Sequence, residues 1–135
     1  MTGAGALAEG AMSRSSFALD AVKSRPAIGP VNALYKARNN KDLNDNTSRD
    51  VTALVVLADA INRAGSAKPE DIRKALVATD VPGAMTIMPW AGVKFDETGQ
   101  NVKGTPVIQQ ITNGSYHTVW PFDVAVQATD WGVGK

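Results

Sequence analysis

The stretch from about Ser48 to Ala64 constrains this chain more than any other part of it. Val51, Leu54, Val55, Ala58 and Ile61 recur at the three- and four-residue spacing of one helix face, and Val56 and Leu57 widen that arc. Thr52, Asp59, Asn62 and Arg63 fall largely outside it, and Gly65 supplies a left-handed stop. A helix apolar over so wide an arc is expected to be mostly buried, so the rest of the chain has to provide surfaces to bury it against. The polar stretch before it, Asn39–Ser48, reads as a loop. Thr47 followed by Asp50 resembles a capping box with Asp in place of the usual Glu.

The chain has 135 residues, the size of one domain or less. With 44% hydrophobic and 20% charged residues its balance is globular and not that of a disordered tail. Ser15–Lys23 carries Phe17, Ala21 and Val22 at helix-like spacing, a short segment stopped by Pro26. A better helix opens at Pro30, with Val31, Leu34 and Tyr35 on one face and Lys36 and Arg38 near its negative end. Pro69 begins another, with Glu70 and Asp71 in its first turn, running to about Ala78 and burying Ile72, Ala75 and Leu76; Thr79–Gly83 closes it. The remainder is β-like. A short strand around Ala91–Phe95 runs into the turn Asp96–Gly99, and Thr105–Thr112 and Ser115–Trp120 flank Asn113-Gly114, the strongest two-residue hairpin signal. The tail from Pro121 has no clear period.

Several function classes have no footprint. Fourteen basic and 13 acidic residues nearly cancel to +1, and no block of like charges is present to capture nucleic acid or anionic lipid. Three Phe, three Trp and two Tyr are too sparse for a base-stacking platform. The absence of cysteine removes disulfides, thiolate catalysis and Cys-based metal sites together. No run of 18 apolar residues is long enough to span a membrane. Met1 to Met12 is Gly/Ala-rich but has neither a basic n-region nor a Leu-rich core, so it does not read as a signal peptide; an export signal would lie upstream on a longer chain.

Each candidate site has a plainer structural account. Gly3-Ala4-Gly5 with Ala8 and Gly10 approximates a dinucleotide fingerprint, but no strand precedes it and no lone acidic residue follows at the required distance; a strand-end loop explains it. Asp42-Leu43-Asn44-Asp45-Asn46 imitates a calcium loop, yet Thr47 stands where Gly is needed and Ala53 where a bidentate Glu is needed. His117, the only histidine, sits mid-strand with no nucleophile or orienting partner that spacing can identify. Asp96 and Glu97 are explained by turn chemistry, and Ser13, Ser15 and Ser16 lack a nucleophile elbow. No catalytic constellation, cofactor motif or metal-ligand cluster emerges, and the chain reads as non-enzymatic. Trp90 after Pro89 and Trp120 before Pro121 are expected to wedge elements together, with the lining of an apolar pocket as the other use of such residues.

Two segments together resemble a known family. In Ala53–Asp80 an alanine-rich helix ends in A-I-N-R-A-G-S and a P-E-D-I-R-K-A-L helix follows; in Met88–Pro121 the order is F-D-x-x-G-Q-N, I-x-Q-x-x-x-G, V-W-P. This order is similar to the C-terminal third of type I periplasmic solute-binding proteins, the Leu/Ile/Val-binding class that serves ABC transporters. The opening GAGALAEGAMSRSSF resembles that family's crossover between lobes, Asn39–Arg49 resembles its polar loop, and Asp130–Lys135 departs from its pattern.

The resemblance implies an α/β, partial Venus-flytrap lobe, a parallel sheet flanked by helices, here reduced to helices on a small sheet with a C-terminal β-hairpin. It divides residues 1–135, a single partial domain, into a crossover with a short helix (1–26), a helical part (27–80), strands and hairpin (81–121), and a tail (122–135). By motif position Asn46, Thr47, Ser48 and Arg49 are expected to face the ligand cleft, where free N–H groups and short polar side chains suit an anionic or polar group; an ordinary helix start accounts for each of them equally. The implied function is recognition of a small-molecule solute, an amino acid or similar organic acid, in the periplasm, with an ABC transporter permease as partner of the full-length form and no cofactor. The alternative is a truncated interaction module that self-associates as a homo-oligomer and binds no solute alone.

Overall fold

A computed structural model describes residues 5–132. The polypeptide opens with a 3₁₀ turn, Gly5–Ala8, and a strand β1, Met12–Ser15. A 3₁₀ turn at Ala21–Lys23 leads to three helices, α1 (Ile28–Asn39), α2 (Asp45–Ala64) and α3 (Pro69–Val77). Strands β2 (Asp80–Pro82), β3 (Gly92–Lys94), β4 (Val107–Thr112) and β5 (Ser115–Trp120) follow. The class is mixed α/β, with the helices grouped in the middle of the chain.

Two antiparallel sheets are present among the described residues, one ordered β1-β4-β5 and the other β2-β3. The expected C-terminal hairpin is β4–β5, whose two-residue turn permits only antiparallel pairing. That turn is Asn113-Gly114, both residues at positive φ, as the dipeptide predicts. Glu9 holds it from outside: its Oε1 accepts from the Asn113 N–H at 2.7 Å. On β4, fully buried Gln110 donates to the Gly10 and Asp130 carbonyls and accepts from the Asp130 N–H, which fixes the tail against this sheet.

The segment 15–23 departs from the helix expected there. Its first residue, Ser15, belongs to β1, paired with β4 at Ser15↔Val107, and its helical part is only the 3₁₀ turn Ala21–Lys23. Gly3 and Ala4 of the glycine-rich opening, and residues 133–135 of the tail, lie outside the described residues. Helix α1 begins two residues before Pro30 because Ile28 is fully buried and anchors the first turn.

The core has two parts. One gathers Phe17, Ala18, Ile28, Leu43, Met88 and Val107 with their neighbours; the other gathers Val56, Val81 and Val93. Trp90 packs against both, the wedge expected of it, whereas Trp120 is 42% exposed and belongs to neither. Arg25 secures the Trp90 loop by donating to the carbonyls of Met88 and Trp90. Gly83 has to be glycine: a Cβ there would stand 2.2 Å from the Trp90 carbonyl oxygen.

Helix α2 corrects the expectation most sharply. Its buried stripe is Ser48, Thr52, Val56 and Ala60, one residue per turn, facing α3 and the β2–β3 pair. Of the bulky residues assigned to the apolar arc, Val51 packs half-buried against the core and Val56 is buried, but the others turn outward, with Leu54 67% and Ile61 41% exposed and Val55 and Leu57 comparable to Ile61. Periodicity marks a helix and its apolar arc; which part of the arc is covered depends on the elements that pack there, and α3 and β3 meet α2 through its small residues.

Candidate functional site

Helix α2 starts three residues earlier than its sequence pattern predicts. Asn44 is the N-cap, and its side chain accepts from the N–H groups of Asn46 and Thr47 at 3.0 and 3.1 Å. Thr47 Oγ1 accepts in return from the Asn44 N–H at 2.9 Å. The capping box is therefore Asn44/Thr47 rather than Thr47/Asp50. Asn carries a stronger acceptor at the cap than the Thr hydroxyl, and buried Leu43 immediately before it pins the entry of the chain.

This arrangement places the four cleft candidates differently from one another. Asn46 and Arg49 are exposed, Thr47 is half-buried, and Ser48 is fully buried in the stripe beneath. Arg49 is folded back along the helix, Nε donating to the Asp45 carbonyl and Nη2 to Asn46 Oδ1, both at 3.0 Å. The N–H groups of Asn46 and Thr47 are not open to a ligand, because Asn44 already holds them.

The residue that sequence reading missed is Asp45. Its Oδ1 accepts from the Ser15 hydroxyl at 2.7 Å, and its Oδ2 from the Ser16 N–H and hydroxyl at 3.1 and 3.0 Å. Burial alone would raise its pKa; these hydrogen bonds, with Arg49 nearby, outweigh burial and hold the carboxyl below its ordinary value. No local signal identifies this contact, since 30 residues separate Asp45 from Ser15.

A groove of about 710 Å³ opens beside it. Asp45, Asn44 and Asp20 give it a polar edge, and Phe17, Leu19 and Tyr116 an apolar wall. Asp20 is held by β5, accepting from the Thr118 N–H and hydroxyl at 2.8 and 2.7 Å. Two carboxylates fixed from behind and an apolar wall suit a small solute with a positively charged group and a hydrophobic body.

The other candidates are structural. Asp42 of the calcium-like run is engaged by Asn32 and Lys36 of α1, and no metal-holding group of three His, Cys, Asp or Glu occurs among the described residues. Asp96 Oδ1 accepts from Thr98 and Gln100 within its own turn, which lowers its pKa. His117 lies on β5 opposite Gln110. No helix among the described residues is long and apolar enough to cross a membrane.

No protein-family model matches the sequence, and no curated protein matches it significantly. Solved structures do. A leucine-binding protein, LivK, from Thermotoga maritima is 27% identical over 84% of this chain, with a TM-score of 0.62. A protein of Rhodopseudomonas palustris strain CGA009 and an extracellular ligand-binding receptor of strain HaA2 are each 23% identical over 86%, with TM-scores of 0.63 and 0.60. The chain spans about a third of their lengths, 31% of the first and 36% of the other two. Two of the three are described as binding proteins or receptors and none as an enzyme.

Proposed function

Since the chain carries part of the type I periplasmic binding fold, we propose that it takes part in recognising a small solute, an amino acid or similar organic acid, within a two-lobed binding protein. In that setting the protein resides in the periplasm and delivers its solute to an ABC-type permease. The observation that carries the reading is the match to a leucine-binding protein over 84% of the chain. The groove supports it. Asp20 and Asp45 offer acceptors to an ammonium group, and Phe17, Leu19 and Tyr116 receive an aliphatic side chain. The exposed first turn of α2, with Asn46, Thr47 and Arg49, forms a polar shoulder toward the opposite lobe. Ser48 contributes from below, by packing.

A thermal-shift panel of amino acids and organic acids tests this. Binding to the folded state raises stability by about 2.7 kcal/mol at a hundred times Kd, so a true solute gives a saturable rise in Tm. The expected rise is selective for an amino acid with an apolar side chain and is lost in Asp45→Asn. Uniform insensitivity to the panel would contradict a solute-recognition role for the groove.

A second reading has its own observation. Leu54, Leu57 and Ile61 form an exposed apolar stripe on α2, which fits an interaction module that pairs with another copy. Sedimentation at micromolar concentration separates the readings, a concentration-dependent dimer supporting the second and a monomer removing it.

A further inference from the structure

A second cavity lies on the other side of α2, between that helix, α3 and β3. Its volume is about 480 Å³, within the range of about 300–1,000 Å³ that small-molecule sites occupy. Val56, Leu57, Leu76, Trp90, Val93 and Phe95 make its wall apolar. Three polar side chains border it: Arg49, Thr52 and Asn101. Asn101 is committed to the protein, since its Nδ2 donates to the Gly92 carbonyl and its Oδ1 accepts from the N–H groups of Lys94 and Lys103. Thr52 is not. It is only 3% exposed, and its Oγ1 has no hydrogen-bond partner among the described residues.

A buried hydroxyl without a partner is costly, and structures tolerate such groups where a ligand completes them. Arg49 lies three residues before Thr52, so their Cβ atoms are about 5–6 Å apart on neighbouring turns of one helix. Its Nε and Nη2 are engaged by Asp45 and Asn46, while Nη1 makes no hydrogen bond among the described residues. A guanidinium only donates, and a threonine hydroxyl readily does. Both residues border the same apolar cavity, and a threonine hydroxyl and a guanidinium are donors suited to a carboxylate.

We propose that this cavity binds a hydrophobic monocarboxylate. Its aliphatic or aromatic body lies over Val56, Leu76, Trp90 and Phe95, and its carboxylate accepts from Thr52 Oγ1 and the Arg49 guanidinium. The cavity is separate from the solute groove at Asp45, with Arg49 lying between the two and Thr52 belonging to this cavity alone, so the Thr52 variant tests this site without touching the other.

Octanoate and 3-phenylpropanoate are the probes, with octanamide as the uncharged control, followed by calorimetry and by the fluorescence of Trp90 in a chain whose Trp120 and Trp131 are replaced by Phe. Saturable binding at one site per chain is expected. Thr52→Val keeps the shape of the side chain and removes only the hydroxyl, so octanoate affinity should fall about tenfold. The same substitution should leave the Tm of the ligand-free chain unchanged or raise it, so a loss of octanoate affinity without a loss of stability is the readout that a failure of folding would not give. Arg49→Gln should weaken octanoate and leave octanamide unaffected. Non-saturable uptake, equal affinity in Thr52→Val, or octanamide binding as tightly as octanoate would overturn the proposal. So would a dimer that covers Trp90 and binds neither acid.

Discussion

At position 45 one carboxylate joins two distant segments: Asp45 heads α2 while accepting three hydrogen bonds from Ser15, the last residue of β1, and Ser16 after it. Hydrogen bonds to a charged acceptor contribute about 1.5–3 kcal/mol in favourable sites, so Asp45→Asn should cost about 1–3 kcal/mol in this half-buried one. The pH dependence follows from the sign of its shift. The folded-state pKa is lowered from 3.8, so the contribution is fully present above the unfolded value and is lost as pH falls through the folded one. Urea midpoints measured from pH 7 down into the acid range should therefore drop below about pH 4 in the parent chain and drop less in Asp45→Asn. Beside it, Asn44→Ala removes the acceptor for two N–H groups and should cost about 1 kcal/mol. If Asn44→Ala left the urea midpoint unchanged, Asn44 would not be the cap.

At the scale of elements, what was legible in the sequence is what local chemistry decides. The Asn113-Gly114 turn, the Pro69 start of α3 and the extents of β4 and β5 rest on neighbours along the chain, and each stands within two residues of its expected place. The inner face of α2 rests on other elements and was not legible: its apolar arc is wide enough to be covered from either side. Asp45 escaped for the same reason, its partners being far away in sequence. The observed orientation gives a paired prediction. Ala60 is fully buried, so Ala60→Leu overpacks the contact with α3 and should cost about 1–3 kcal/mol. Ile61→Lys, next along the chain but facing outward, should change stability by less than about 0.5 kcal/mol. Denaturant unfolding of the two variants decides the face, since the opposite ranking would restore the arc centred on Leu54, Ala58 and Ile61.

For the whole molecule, the outward stripe of α2 and the groove at Asp45 are two parts of one account. The chain matches about a third of the length of each solved neighbour, and the apolar stripe is a surface on which further structure can pack. In a chain studied by itself, Leu54→Lys together with Ile61→Lys should shift a sedimenting oligomer toward monomer while leaving Tm nearly unchanged. The most direct test of solute recognition is to splice this chain into the T. maritima leucine-binding protein in place of the matched segment and titrate the folded chimera with amino acids by calorimetry. The account predicts saturable binding of an apolar amino acid at one site, weakened about tenfold or more by Asp45→Asn. A chimera that folds cooperatively and yields no heat with any amino acid would contradict it.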